Sequence, residues 1–590
     1  MTISIKKIYF KAKHKRKFLI VTIFLIPVIF ISYAIGSMVN YLNTLNYHYI
    51  YEIAFSEDEF IESDPELIGS AAENWSRLLY TYCFPQNLTG DGWDYYPFNE
   101  AYFSINPMSL GIYNESEFLK LCDIFNTSDP LNQIYTYTDT GHALTYASQT
   151  AIGEALKYAV LYREGKTSQA EEILQNIYKY IQALKLVSSV DRNGKMARYV
   201  LPDTPIARNA FKFFSFKEDY KGSHLIYNLT YVGPNGKEYT FWLETGTSVD
   251  LYITVFACLG ITYLFVNNST IRSLIREIVD SLLEYWIKVG WKYVDKDGKS
   301  HIMGAEAINI KPITDASYCL AFLLVGKTVN PDKWKKVYDT YAYDRNLARK
   351  VGKQSILGVH DVFTWASGYF NIELMVSIAF TLNVLETDPI LRSYYRRFLN
   401  TLYEIVKYHR NAWFDTAYAM GMAEFNFLDY NTYIQPPKIN LDSKTKSFIE
   451  KDVGDCLTRL AYVHRTGRNF RTATTLQSYE KYEFLSPIPG APYPDAKIYD
   501  WKSKINLKNP FVRLISSLLY PEMDWTKTEG ILDKPIPADW RRVGMFMWEY
   551  SPFDSKETPE NTGACLPIPG DFTLPYWIGR YLNFSSLFVA

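Results

Sequence analysis

The sequence predicts a mainly α-helical chain: an α/α toroid of helical hairpins with small β-hairpin insertions, preceded by one transmembrane helix. Three observations lead there. Residues 245–291 read as an apolar helix followed by an amphipathic one. That pair recurs along the chain. An uncharged run near the N-terminus follows a basic tail.

The first arm of the hairpin, 251–266, is apolar nearly all round, which suits a helix buried on most sides. The second arm keeps helical period, with Ile271, Leu274, Ile275, Ile278, Leu282, Trp286 and Val289 on one face. Arg272, Arg276, Asp280, Glu284 and Lys288 run down the opposite face at four-residue spacing, as a solvated face does. A buried inner helix beside a half-exposed outer one is the repeating unit of an α/α toroid.

The unit recurs at 371–386 with 391–413. Shifted by 120 positions, Arg272, Ser273, Arg276, Leu282 and Glu284 match Arg392, Ser393, Arg396, Leu402 and Glu404. A third copy is 142–162 with 167–187, where Ala170, Ile173, Leu174, Ile177, Ile181 and Leu184 form the apolar face. Shorter candidates are 315–324 with 331–343, and 455–464. Such units bury their faces only by stacking. Alternating inner and outer arms suggest closure into a ring; an open solenoid is the alternative.

At the N-terminus, residues 18–39 carry no charge and are long enough to span a bilayer. Seven Lys and Arg precede the run between Lys6 and Lys17, while Glu52, Glu57 and Asp58 follow it. The positive-inside rule then places the tail in the cytoplasm and the rest outside. A cleaved signal peptide is the rival reading, but the run is long and no clear small-residue cleavage site follows. The expected division is a tail (1–17), an anchor (18–39), a juxtamembrane irregular and helical region (40–136) and the toroid (137–590) with a β insertion at 188–245. Residues 64–80 look helical and are a candidate to complete the ring.

Within the insertion, 224–244 alternates around Gly233-Pro234-Asn235-Gly236, a β-hairpin signal. A second hairpin is expected at 291–302, turning at Asp297-Gly298. Acceptor sequons start at Asn74, Asn87, Asn114, Asn126, Asn228, Asn267, Asn268 and Asn583, all beyond the anchor. Of six cysteines, Cys258 and Cys319 fall in apolar helices as buried thiols, whereas Cys83 and Cys122 lie in polar loops where they could pair. No CxxC or CxxH spacing occurs, so no metal site and no cofactor are expected. With 62 Lys and Arg against 63 Asp and Glu there is no basic field for nucleic acid.

Acids recur before the expected inner helices: Asp139, Asp250, Asp315, Asp361 and Asp455. In a closed ring one end of each inner helix opens on a common funnel, so these carboxylates would converge. Two in different environments serve as general acid and base. Each taken singly reads first as a helix N-cap, and only the recurrence of the set favours function. The expected catalytic set is Asp250, Asp361, Asp455 and Glu244, the last following Trp242 at a strand end. Glu154, inside an expected inner helix, is either functional or half of a buried ion pair, with Arg459 as one partner. His142 and His360 lie at the same loops as bases or structural histidines. Trp242, Trp365 and Tyr369 are candidate sugar-stacking rings, or loop packing aromatics. No GxSxG, HExxH, P-loop or GxGxxG occurs in context.

The stretch TSVDLYITVFACLGITYLFVNN, the outer arm after it, GWKYVDKDGK and the terminal LPYWIGRY together resemble large exported bacterial helical-repeat proteins. More broadly the chain resembles the six-hairpin toroids of carbohydrate-active enzymes over residues 140–585. That resemblance implies a glycan substrate and leaves open glycoside hydrolase, polysaccharide lyase and uronic-acid epimerase. The expectation is a membrane-anchored extracellular glycan-active enzyme, first a glycosidase with paired carboxylates. A uronic-acid lyase or epimerase is the second reading, and a non-catalytic glycan-binding or structural surface protein the third.

Overall fold

A computed structural model describes residues 60–85, 95–103, 134–137, 141–189, 195–213, 226–232, 236–244, 247–291, 314–353, 369–425, 430–465, 537–541, 546–550 and 565–588, with a few isolated positions besides. The fold is mainly helical. In chain order the helices are α1 (Pro65–Tyr82), α2 (Ala143–Arg163), α3 (Thr167–Ser189), α4 (Pro205–Phe213), α5 (Val249–Phe265), α6 (Ser269–Lys288), α7 (Thr314–Val329), α8 (Pro331–Asp339), α9 (Leu347–Gly352), α10 (Phe370–Leu385), α11 (Pro389–Val406), α12 (Ala412–Gly421), the single turn α13 (Tyr430–Tyr433), α14 (Ser443–Arg465) and α15 (Gly570–Tyr581). No helix among the described residues is long and apolar enough to cross a membrane. The run 18–39 lies almost wholly outside them.

The inner and outer arms differ as their sequences require. Helices α2, α5, α10 and α12 are buried on nearly every side. Helices α3 and α6 bury one stripe; in α6 it includes Ile271, Ile275, Ile278, Leu282 and Trp286. Their caps follow the sequence. The Asn268 side chain accepts from the Ile271 N–H at the start of α6, and the Asp388 side chain from Ile390 and Leu391 at the start of α11.

The arginines that mark the repeat do more than face solvent. Arg272 Nε donates to the Tyr263 and Val266 carbonyls, 3.0 Å each, at the end of α5. Arg276 Nε does the same for Val329 at the end of α7 (3.0 Å). Arg392 and Arg396 meet the Ala423 carbonyl beyond α12, at 2.6 and 3.1 Å. Outer-helix guanidiniums thus satisfy the orphan carbonyls of inner helices.

The inner helices pack as successive neighbours. Helix α2 lies against α5, α5 against α7 and α10, α7 against α10, α10 against α12, α12 against α15, and α15 against α2. Helix α1 packs on α14 and α15. Residues just before it reach into the core: the Ile61 N–H donates to Asp455 Oδ1 (2.9 Å) and the Asp64 N–H to Thr458 Oγ1 (3.1 Å). The stretch 64–80, expected to be helical, is therefore integral to the helical body.

The expected hairpin at 224–244 forms. Strand β4 (Ile226–Val232) pairs antiparallel with β5 (Glu238–Glu244), and β3 (Tyr199–Pro202) flanks β5 on its other edge. Gly236 has φ +75°, the left-handed conformation a tight turn asks of it. A second sheet joins β1 (Ala101–Phe103) to β2 (Ile134–Tyr137) and to Cys565–Leu566 near the C-terminus. The hairpin expected at 291–302 lies outside the described residues, apart from Trp291.

Three boundaries are corrected. The arm read as 391–413 stops at Val406, because Arg410 takes φ 52° and the Asn411 side chain accepts from the Phe414 N–H, starting α12. Asp455, read as preceding a helix, sits in the middle of α14. The terminal segment around LPYWIGRY, for which the sequence reading gave no helix, holds the buried helix α15 with Pro575 inside it. Proline there leaves the Asp571 carbonyl without its helical donor, and the Trp548 indole N–H supplies one at 2.6 Å.

Candidate functional site

One stripe of α2 organises the site. His142 precedes the helix, and Tyr146 and Gln149 follow one and two turns in, close to one line along it. Each meets a carboxylate from a different element. His142 Nδ1 is 3.8 Å from Asp250 Oδ2, in the first turn of α5. Tyr146 donates its hydroxyl proton to Glu549 Oε1 (2.7 Å), in the C-terminal segment that packs on α10. Gln149 donates through Nε2 to Glu373 Oε1, on α10. Acids far apart in sequence are thus brought to one helix face.

Their environments differ. The Asp250 side chain is 22 % exposed and His142 beside it 48 %. Asp250 is not the N-cap of α5, a position held by Ser248, so the capping role weighed for it is not the one it plays. Glu373 is buried, and burial pushes its carboxyl up to about 7. Hydrogen bonds from Ser377 Oγ (2.7 Å) and Gln149, with the Trp413 side chain, oppose that rise; the nearby Asp250 charge adds to it. The α2 face thus joins a buried carboxyl raised toward neutrality to a partly exposed acid on a neighbouring helix. Gln149 Oε1 is buried with no hydrogen-bond partner among the described residues.

Glu373 escaped the sequence reading. The signal for it was an acid inside the apolar helix 371–386, since a buried carboxyl in such a helix needs a reason.

The other expected residues fall as follows. Glu244 is buried at the end of β5, with Arg198 Nε 3.5 Å from its Oε1. It lies six residues before Asp250. Trp242 is half-buried with its indole N–H on Asp203 Oδ1 (2.8 Å). Tyr369 is buried, and its hydroxyl meets His409 Nδ1 at 2.9 Å. His360, Asp361 and Trp365 lie outside the described residues. Glu154 is buried, but its partners are Tyr80 Oη (2.9 Å) and Ser76, not Arg459. Cys258 is buried as expected, its thiol pushed up to about 12 by desolvation.

Asp455 is no part of this site. It is fully buried and held between Arg410 and Arg459, the latter at 2.9 Å. Arg459 reaches on to Asp539 (3.4 Å). A carboxylate so fully committed is structural, because removing it strands two buried guanidiniums. Asp452, Asp455 and Cys456 come close enough to suggest cation ligands. The arginines and the Ile61 N–H already occupy Asp455, so the donor set does not fit a metal.

No family model, no curated protein and no solved structure matches this chain.

Proposed function

We propose that the chain is a membrane-anchored, extracellular glycan-active enzyme, a glycosidase in which Glu373 is the general acid and Asp250 the ionised partner. One observation carries the reading: a buried carboxyl raised to about 7 and an accessible carboxylate held on the same face of α2. Glycosidic cleavage asks for that pair. The protonated Glu373 gives its proton to the leaving oxygen as the C–O bond breaks. The charge of Asp250 stabilises the cationic sugar that develops, and water then adds to that carbon and returns its proton to Glu373.

The architecture proposed with it is an α/α toroid. Support comes from the neighbour relations, which run α2, α5, α10, α12, α15 and back to α2, with amphipathic helices packed outside. Asp250 and Glu373 sit in the first turns of α5 and α10, against the N-terminal half of α2. Phe370, one turn before Glu373, is 47 % exposed and offers a ring for stacking on a sugar face. The anchor and the external location rest on the uncharged run and its basic flank.

The test is a panel of polysaccharides and chromogenic glycosides incubated with the purified chain. Glu373→Gln and Asp250→Asn are each expected to lower turnover by a factor of a hundred or more while the helical signal is kept, by the usual scale of acid–base contributions. Unsaturated uronate products would replace the glycosidase by the lyase reading. Binding without turnover, unchanged in both variants, would replace it by the non-catalytic one.

A further inference from the structure

We propose that Asp415 and Asp452 form a buried site for a single proton, shared between their facing carboxyl groups.

Asp415 is on α12 and Asp452 on α14, and they are 2 % and 0 % exposed. Helices α12 and α14 pack on one another, and the two buried carboxyl groups interact as hydrogen-bond partners across that contact. Asp415 Oδ1 accepts from the Tyr403 hydroxyl on α11 (2.7 Å). Asp415 Oδ2 and Asp452 Oδ2 are both buried with no donor among the described residues. Two bare carboxylate oxygens facing one another inside a helical core are doubly penalised, by desolvation and by repulsion. One proton between them turns the repulsion into a hydrogen bond and satisfies both atoms.

The neighbours say which group keeps the charge. Asp452 Oδ1 lies 3.7 Å from Arg410 Nε and accepts from the Cys456 thiol (3.7 Å), and Arg541 adds positive potential. Asp415 faces Tyr403, with Tyr418 stacked on that ring at 3.7 Å and Tyr369 also nearby, all neutral phenols. The proton therefore rests on Asp415 and the charge on Asp452. Among the described residues Arg410, Arg459 and Arg541 then balance Asp452, Asp455 and Asp539. A metal or sodium ion in the same place would stand beside two guanidiniums, so a proton is the favoured ligand.

Burial and the Asp452 charge both push Asp415 well above the carboxylate range. The folded chain thus keeps a proton that the unfolded chain releases. Stability is full below the ordinary carboxyl value and is lost as pH rises toward the raised one, the folding equilibrium falling tenfold per pH unit for one proton.

The measurement is the denaturation midpoint of the full-length chain against pH, with and without chelator and in sodium or potassium buffers. Asp415→Asn is expected to fold, because a neutral amide replaces the neutral acid and its N–H can donate to Asp452. Its pH slope should be shallower than wild type by one proton. Asp452→Asn, which moves the charge away from Arg410, should be the less stable of the two. Isotope-edited infrared spectra of the wild type should show a protonated carboxyl at neutral pH, a readout that holds even if a variant does not fold. An unchanged slope in Asp415→Asn, absence of that band, or a slope abolished by chelator or by exchanging sodium for potassium would overturn the proposal.

Discussion

Replacing Glu373 by Gln is expected to stabilise the fold while it destroys activity. The carboxyl has an ordinary value of 4.5 and is raised to about 7 in the folded chain. Above pH 7 the folded state must hold a buried charge that the unfolded state solvates freely. The gap of roughly 2.5 units corresponds to about 3 kcal/mol, at about 1.4 kcal/mol per unit. The sign is that of a raised acid: its contribution is undiminished below about 4.5 and declines until about 7, after which it stays flat. Glutamine removes the charge and keeps an oxygen to accept from Ser377. Its new N–H₂ has a partner ready, because Gln149 Oε1 is buried and unpaired. At pH 8 the variant should therefore gain up to about 3 kcal/mol, and below pH 4.5 the difference should vanish. Urea denaturation followed by circular dichroism at pH 4.5, 6 and 8 measures this. A variant less stable than wild type at pH 8, or a difference independent of pH, would refute the assignment of a strained, proton-retaining Glu373.

Activity on a cleaved glycan should fall as pH rises through about 7, following loss of the Glu373 proton, and the limb should disappear with a leaving group that needs no protonation. Gly260→Ala should cost about 1–3 kcal/mol, read by thermal melting, since a Cβ there would stand 2.8 Å from Leu385 Cδ1 and 2.9 Å from Val325 Cγ2, where α5, α7 and α10 meet. Arg163→Met should cost about 1–3 kcal/mol, because its guanidinium bridges the Tyr581 and Arg580 carbonyls at 3.0 Å each and ties α2 to the end of α15. Deleting residues up to 85 should prevent folding, seen as loss of a cooperative melt, since α1 covers α14 and α15 and supplies the partners of Glu154.

The sequence by itself determined the long helices with a clear apolar pattern and the face each buries. Periodicity sufficed for α2, α3, α5 and α6, because apolar side chains at helical spacing are stable only when packed against another element. Alternation around Gly233-Pro234-Asn235-Gly236 likewise sufficed for the β4–β5 pair. What it did not determine was partnership. Asp250 was legible as a candidate, yet its companion Glu373 was not, because a carboxyl inside an apolar helix looks the same whether an arginine or a solvent-reachable acid awaits it. Asp455 shows the converse: an acid singled out for chemistry is committed to Arg410 and Arg459, residues 45 and 4 positions away. Helix α15 hid behind two prolines and a glycine, since the donor that lets Pro575 sit inside a helix is the indole of Trp548, 27 positions earlier in the chain. Local patterns set local structure through short-range sterics and burial. The character of a buried charge is set by whatever the tertiary fold places within a few ångströms of it, and only the packed chain decides that.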